Sequence, residues 1–236
     1  MSQSPEICRI AMVLFPGLTQ LDLTGPYEIL VRMPGAEVSL VSSTLDPVRT
    51  DRGLVLTPDA TYDDLPDPDI LFVPGGPGQL PAMDDAALIA YLRRAGKAAK
   101  LITSVCTGSL LLAAAGLLTG KKATCHWLAH DQLALLGAVP VHQRVVEDGN
   151  VITGAGVSSG IDFGLVVAER LHGARVAQEI QLQAEYDPSP PHNGGSVDKA
   201  PPAVVETLRK RGAELREKRI AAATRIGAAL GVGGPD

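Results

Sequence analysis

Leu101-Ile102-Thr103-Ser104-Val105-Cys106-Thr107-Gly108-Ser109-Leu110-Leu111-Leu112 is the stretch from which the rest of the chain can be read. An extended-type run meets a helix-type run, with Cys106 at the junction and Gly108 just beyond it. That placement is a nucleophile elbow, which holds a reactive side chain above the edge of a sheet. Unpaired N–H groups and the positive end of the helix dipole both favour a thiolate there, so a Cys106 pKa below the free-thiol value is expected. An inert buried cysteine is the alternative for this residue type, and the strand-to-helix junction favours the reactive one.

The same rhythm extends in both directions. Upstream, Ile7 to Phe15 is an apolar run closed by Pro16-Gly17 and reads as a strand buried on both faces. Leu21 to Met33 has helical spacing, Glu37 to Ser43 is extended, and Thr44 to Asp69 is turn-rich, with short strands around Val48 and Leu54 to Leu56. Ile70 to Val73 is a strand closed by Pro74-Gly75-Gly76-Pro77-Gly78, and Asp85 to Ala99 is a helix. Downstream, a helix is expected over Thr107 to Leu118, an extended piece over Ala123 to Trp127, and a helix to about Leu136. Val141 to Glu147 and Val151 to Thr153 read as strand, turn, strand around Asp148-Gly149-Asn150. Val157 to Leu171, Arg175 to Tyr186 and Ala203 to Leu230 are helical, with a Pro- and Gly-rich loop over Pro188 to Pro202.

Strands alternating with helices predict an α/β fold with an open, mostly parallel sheet covered by helices on both faces. Residues 1–187 form the α/β domain in this reading. Residues 188–236 supply the loop and a C-terminal helix packed on the same domain or on a second subunit.

Composition narrows the function. The 236 residues are 45% hydrophobic and 20% charged, and 21 Lys plus Arg against 26 Asp plus Glu give a net charge of −5. Such a balance gives no global attraction for nucleic acid or anionic lipid. Aromatic residues make up 3%, which leaves few rings for stacking on bases. Leu110 to Leu118, the longest apolar stretch, falls short of the roughly 20 residues that span a bilayer. Cys8, Cys106 and Cys125 cannot pair completely, and Met1 to Glu6 show no leader pattern, so the cytoplasm is the expected compartment. The basic run in the last helix, Arg209, Lys210, Arg211, Arg216, Lys218, Arg219 and Arg225, alternates with Glu206, Glu214 and Glu217. It reads as the solvated face of an amphipathic helix rather than a DNA contact.

In an open α/β sheet the chemistry gathers beyond the carboxyl ends of the strands. Three loops there supply an acid, bare amides and a thiol. Asp22 either moves protons to and from what Cys106 attacks or is a helix cap or solvated acid. Gly75 and Gly76, with the Thr107 N–H, are expected to bind substrate where negative charge develops, and a tight turn is compatible with that. His126 and His130 are four apart but lack the glutamate of a metallohydrolase motif, and no metal is expected even with Cys125 adjacent. His142, His172 and His192 are isolated. For Gly154-Ala155-Gly156, close packing is favoured over a hinge.

Phe15-Pro16-Gly17, Asp22-Leu23-Thr24-Gly25-Pro26, Val73-Pro74-Gly75-Gly76, Thr103 to Ser109 and Ala123-Thr124-Cys125-His126-Trp127 together resemble the DJ-1/PfpI superfamily of flavodoxin-like α/β proteins, from Ile7 to Leu230. Asp22, Thr107, Gly160-Ile161-Asp162-Phe163 and Gln181 to Tyr186 resemble its isocyanide-hydrating members most. The resemblance implies a homodimeric lyase that hydrates organic isocyanides to N-substituted formamides without metal or organic cofactor. Cys106 would be the nucleophile, passing through a thioimidate, with Asp22 the proton carrier and Thr107 orienting substrate or water. Asp22 stands where many members carry Glu, and Thr107 where the peptidase-like members carry His, which argues against protease, chaperone and glyoxalase readings. Amidase-like transcription regulators share the Cys-Thr-Gly motif but carry a helix-turn-helix module of about 100 residues; about 35 residues follow the loop here, so no DNA binding is expected. A redox-sensing protein with an oxidisable Cys106 is the alternative function.

Overall fold

Ile10, Ala11, Met12 and Val13 are wholly shielded from solvent, as an apolar run in the middle of a parallel sheet must be. In this computed structural model, which describes residues 6–232, they belong to β1 (Cys8–Val13). Met1 to Pro5, which make up most of the stretch without a leader pattern, lie outside the described residues.

The chain continues through α1 (Gln20–Leu30), β2 (Ala36–Ser42), β3 (Val48–Arg49), β4 (Val55–Leu56), β5 (Ala60–Thr61), β6 (Ile70–Val73), α2 (Gln79–Ala82) and α3 (Ala86–Ala98). Then come β7 (Leu101–Val105), α4 (Gly108–Ala114), β8 (Lys122–Ala123), α5 (Gln132–Leu135), β9 (Val139–Pro140), β10 (Val145–Asp148) and β11 (Val151–Gly154). Three helices follow: α6 (Ser159–His172), α7 (Ala174–Gln183) and α8 (Pro202–Ala229).

Seven strands form the central sheet in the order β10-β11-β7-β6-β1-β2-β5. All neighbours run parallel except the β10–β11 hairpin. The fold is therefore the mostly parallel α/β sheet that the alternation of elements predicts. Strand order leaves β1 toward β2 on one side and reaches β6 and β7 on the other, so the order reverses between β1 and β6. A crevice at the carboxyl ends of β1, β6 and β7 follows from that reversal. The loops after these three strands carry Asp22, Gly75 with Gly76, and Cys106.

On one face α6 packs against α1 with almost no space between backbones. A methyl group on Gly164 would come within 2.8 Å of the Ile29 Cβ, and one on Gly160 within 2.8 Å of the Pro26 ring. Around Gly154-Ala155-Gly156 the contacts are equally tight: a Cβ on Gly154 would lie 2.9 Å from Val105. On the other face α8 lies across α5, α4 and α2, with Ala222, Ala223 and Ile226 buried against them.

Several boundaries differ from those expected. α4 stops at Ala114 rather than Leu118, because Gly116 adopts φ +78° and the Leu117 N–H turns back to the Leu112 carbonyl, a Schellman ending. The helix expected up to Leu136 is one turn, Gln132–Leu135, preceded by turns. β10 begins at Val145, not Val141, whose N–H bonds the Ala123 carbonyl instead. His142 is not isolated: its ring stacks on His130 at 3.8 Å between centroids.

Candidate active site

Cys106 follows β7 directly and adopts φ +55°, a left-handed conformation that costs a non-glycine residue on the order of 1–3 kcal/mol. Two hydrogen bonds hold it there, from its N–H to the Gly154 carbonyl at 3.1 Å and to the Ala155 carbonyl at 2.7 Å. Below the elbow, a buried polar chain fixes the neighbouring loop: Ser104 and Ser109 hydroxyls lie 2.9 Å apart, and the Ser109 hydroxyl reaches the Thr124 carbonyl at 2.7 Å. The elbow expected from sequence is present, with the thiol 4% exposed.

Asp22, in the first turn of α1, lies against that thiol and has no solvent exposure, which excludes a solvated acid. It does not cap the helix, whose N-cap residue is Thr19. Its Oδ2 accepts the Gly75 N–H at 3.1 Å, while Oδ1 is buried without a partner among the described residues. Burial pushes the carboxyl up to about 7; hydrogen bonds from Cys106 and the Gly75 N–H only partly oppose this. The thiol moves the same way. Burial first, then the adjacent Asp22 charge, hold Cys106 well above its ordinary value, and the Thr107 N–H opposes this more weakly. The lowered pKa expected from the helix terminus is thus corrected: α4 is short, and desolvation outweighs its field. Above pH 7 the pair holds one proton, and it titrates as a pair.

Gly75 and Gly76 are both placed at this group, but their amides are engaged. Gly75 holds Asp22, and the Gly76 N–H donates to the Thr107 hydroxyl at 2.9 Å, which returns a bond to the Gly76 carbonyl at 3.2 Å. The expectation of open amides therefore gives way to amides that position the acid and Thr107. Only glycine fits at 75, since a Cβ would lie 2.4 Å from the Thr107 nitrogen and 2.9 Å from Asp22 Oδ2.

Sequence reasoning missed Arg219, placing it on a solvated face. It is 7% exposed, and from α8 its Nε donates to the Gln79 Oε1 at 2.9 Å and its Nη2 to the Gly76 carbonyl at 3.2 Å. A signal existed: Arg219, Ala222, Ala223 and Ile226 stand at i, i+3, i+4 and i+7, the apolar stripe of the helix.

A cavity of about 710 Å³ is lined by Cys125, His126, Ala155, Gly156 and Val157 together with Gly195 to Asp198; Cys106, Asp22 and Thr107 do not line it, and the Cys106 N–H bonds the carbonyl of its lining residue Ala155. Burial lowers His126 to about 4, so it is neutral near pH 7 and a weak base. A second cavity of about 750 Å³, by Trp127 and His130, holds none of these site residues. Among the described residues, no three His, Cys, Asp or Glu side chains converge as metal ligands, and no helix is long and apolar enough to cross a membrane.

The chain is 49% identical over 222 residues to the isonitrile hydratase of Pseudomonas putida, covering 94% of this chain and 97% of that one. The crystal structure of a THiJ/PfpI family protein from Pseudomonas syringae superposes with a TM-score of 0.91 at 45% identity, over 93% of this chain and 92% of the other. Oxidized DJ-1 of Toxoplasma gondii superposes at 0.68 and 28% identity, over 77% and 100%. A family model described as DJ-1/PfpI matches residues 8–170, which hold the elbow, its acid and both glycines, and the chain belongs to the DJ-1/PfpI family.

Proposed function

We propose that this protein hydrates organic isocyanides to N-substituted formamides, with Cys106 as nucleophile and no cofactor. The observation that carries the reading is the buried Cys106–Asp22 pair, a soft nucleophile and a proton carrier in contact at the strand-order reversal. The P. putida relative named isonitrile hydratase supports the substrate class.

An isocyanide carbon is electrophilic toward sulfur, and attack leaves its lone pair on an imidoyl anion that must take up a proton. Cys106 passes its proton to Asp22 as the S–C bond forms, and Asp22 delivers that proton to the same carbon, giving a thioimidate. Water then adds to this carbon, with Asp22 taking a water proton and transferring it to nitrogen. As the remaining O–H becomes a carbonyl, the C–S bond breaks and its proton returns to the Cys106–Asp22 pair, leaving the formamide. A carboxyl pushed up to about 7 suits both directions of transfer near neutrality. Thr107, held by Gly76 on both sides of its hydroxyl, orients substrate or water. The proposal includes a homodimer acting in the cytoplasm.

Cys106→Ala should abolish formamide formation from an aryl isocyanide, and retained turnover would refute the covalent route. Quenched samples of the unaltered protein should show Cys106 heavier by one substrate mass. A redox-sensing role is disfavoured because a buried thiol with a raised pKa resists oxidation.

A further inference from the structure

Among the described residues, Arg219 is the one buried cation near this site that the proposed chemistry does not use. Burying a guanidinium is costly unless negative charge compensates it. The ion pairs of α8 lie elsewhere: Arg216 with Asp131, Arg225 with Asp84, and Lys210 and Lys218 with glutamates of the helix itself. Arg219 has no carboxylate partner among the described residues. Two neutral oxygens, of Gln79 and Gly76, fix its fork. The Gly76 carbonyl it grips is the one that accepts the Thr107 hydroxyl, so the charge sits one peptide group from the residue after the nucleophile. The titratable groups facing it are the thiols of Cys106 and Cys125 and the imidazole of His126.

His126 is neutral near pH 7, and Cys125 is pushed up to about 12. Neither supplies an anion at working pH. Of the two thiols that Arg219 faces, Cys106 is the one the proposed reaction ionises. We propose that Arg219 is a positioning residue of the proposed reaction, a fixed cation that favours ionisation of Cys106 while its fork holds the Gly76–Thr107 link. The inference rests on Cys106 being the nucleophile of that reaction. It also gives the C-terminal helix, outside the matched residues 8–170, a part in the site.

The test is the rate at which iodoacetamide alkylates Cys106 between pH 5 and 9, resolved from Cys8 and Cys125 by peptide mass spectrometry. Arg219→Gln should move the curve to higher pH by about one unit, which is about a tenfold slower rate at pH 7. Arg219→Lys, which keeps the charge, should restore most of the rate. A merely structural arginine predicts the reverse, since a loosened loop exposes the thiol and speeds alkylation. An unchanged or faster rate in Arg219→Gln therefore overturns the proposal. If that variant does not fold, Gln79→Glu decides, because it neutralises Arg219 with an isosteric carboxylate and should slow alkylation in the same way; an unchanged rate there is equally fatal. Formamide formation by the unaltered protein is measured alongside. Its absence would remove the isocyanide reaction and leave the alkylation result to stand or fall separately.

Discussion

A carboxylate removed from water beside a thiol has consequences for both pH dependence and stability. Asp22 is pushed up to about 7 from 3.8, so below pH 7 the Cys106–Asp22 pair carries two protons and the carboxyl cannot accept the one on sulfur. Formamide formation should rise with pH through a limb centred near 7, and Asp22→Asn should abolish that limb together with most of the rate, measured as kcat/KM from pH 5 to 9. Stability carries the opposite sign. A carboxyl with a raised pKa favours the folded state most below about pH 4 and loses that contribution as pH rises through 7. Asp22→Asn should therefore be more stable than the unaltered protein at pH 8, by at most about 4 kcal/mol, and melt at a higher temperature, with the gain vanishing near pH 4. A thermal shift in the other direction at pH 8 would mean that the carboxylate is not desolvated.

At the scale of elements, what could be read from sequence was what is locally encoded. β6 is a continuous apolar run and β1 is one from Ile10 onward, each closed by Pro-Gly, while β7 reads as a strand from its abrupt end at the Cys106 elbow, its Thr103 and Ser104 being buried with the rest. Cys106, Asp22, Gly75, Gly76 and Thr107 follow from their places after those strands. Arg219 does not, because its partner Gly76 is 143 residues away and the helix around it is rich in charge. The raised Cys106 pKa escaped for a similar reason, since its cause is burial by distant elements. Glycines in helices show the same dependence on packing. Gly164→Ala should destabilise by about 1–3 kcal/mol, because a methyl 2.8 Å from Ile29 forces α6 away from α1. Gly212→Ala in α8 should stabilise by about 0.5–1 kcal/mol, as its Cβ would meet only Leu128 at 3.5 Å and helix propensity decides. At roughly 2–4 °C per kcal/mol, opposite shifts in Tm should be resolved by calorimetry.

Over the whole molecule, the reversal of strand order creates the crevice, while a helix nearly at the chain's end reaches across to it. α8 cannot be held there by its surface ion pairs, since exposed pairs such as Arg225 with Asp84 contribute at most about 1 kcal/mol each. Its docking rests on the stripe of Ala222, Ala223 and Ile226, with Arg219 on the same line. Ile226→Ala should cost roughly 2 kcal/mol, the low end for a residue at the margin of the core. Because local opening draws on the weakest-held element, the loss should fall on α8 rather than on the sheet. Hydrogen exchange should quicken in α8 from about Arg219 onward, while β1, β6 and β7 keep their protection. If the helix end is what holds Arg219 on Gly76, kcat should fall in the same variant at temperatures where the sheet is fully folded. Faster exchange in α8 with undiminished kcat would show that the site closes without it.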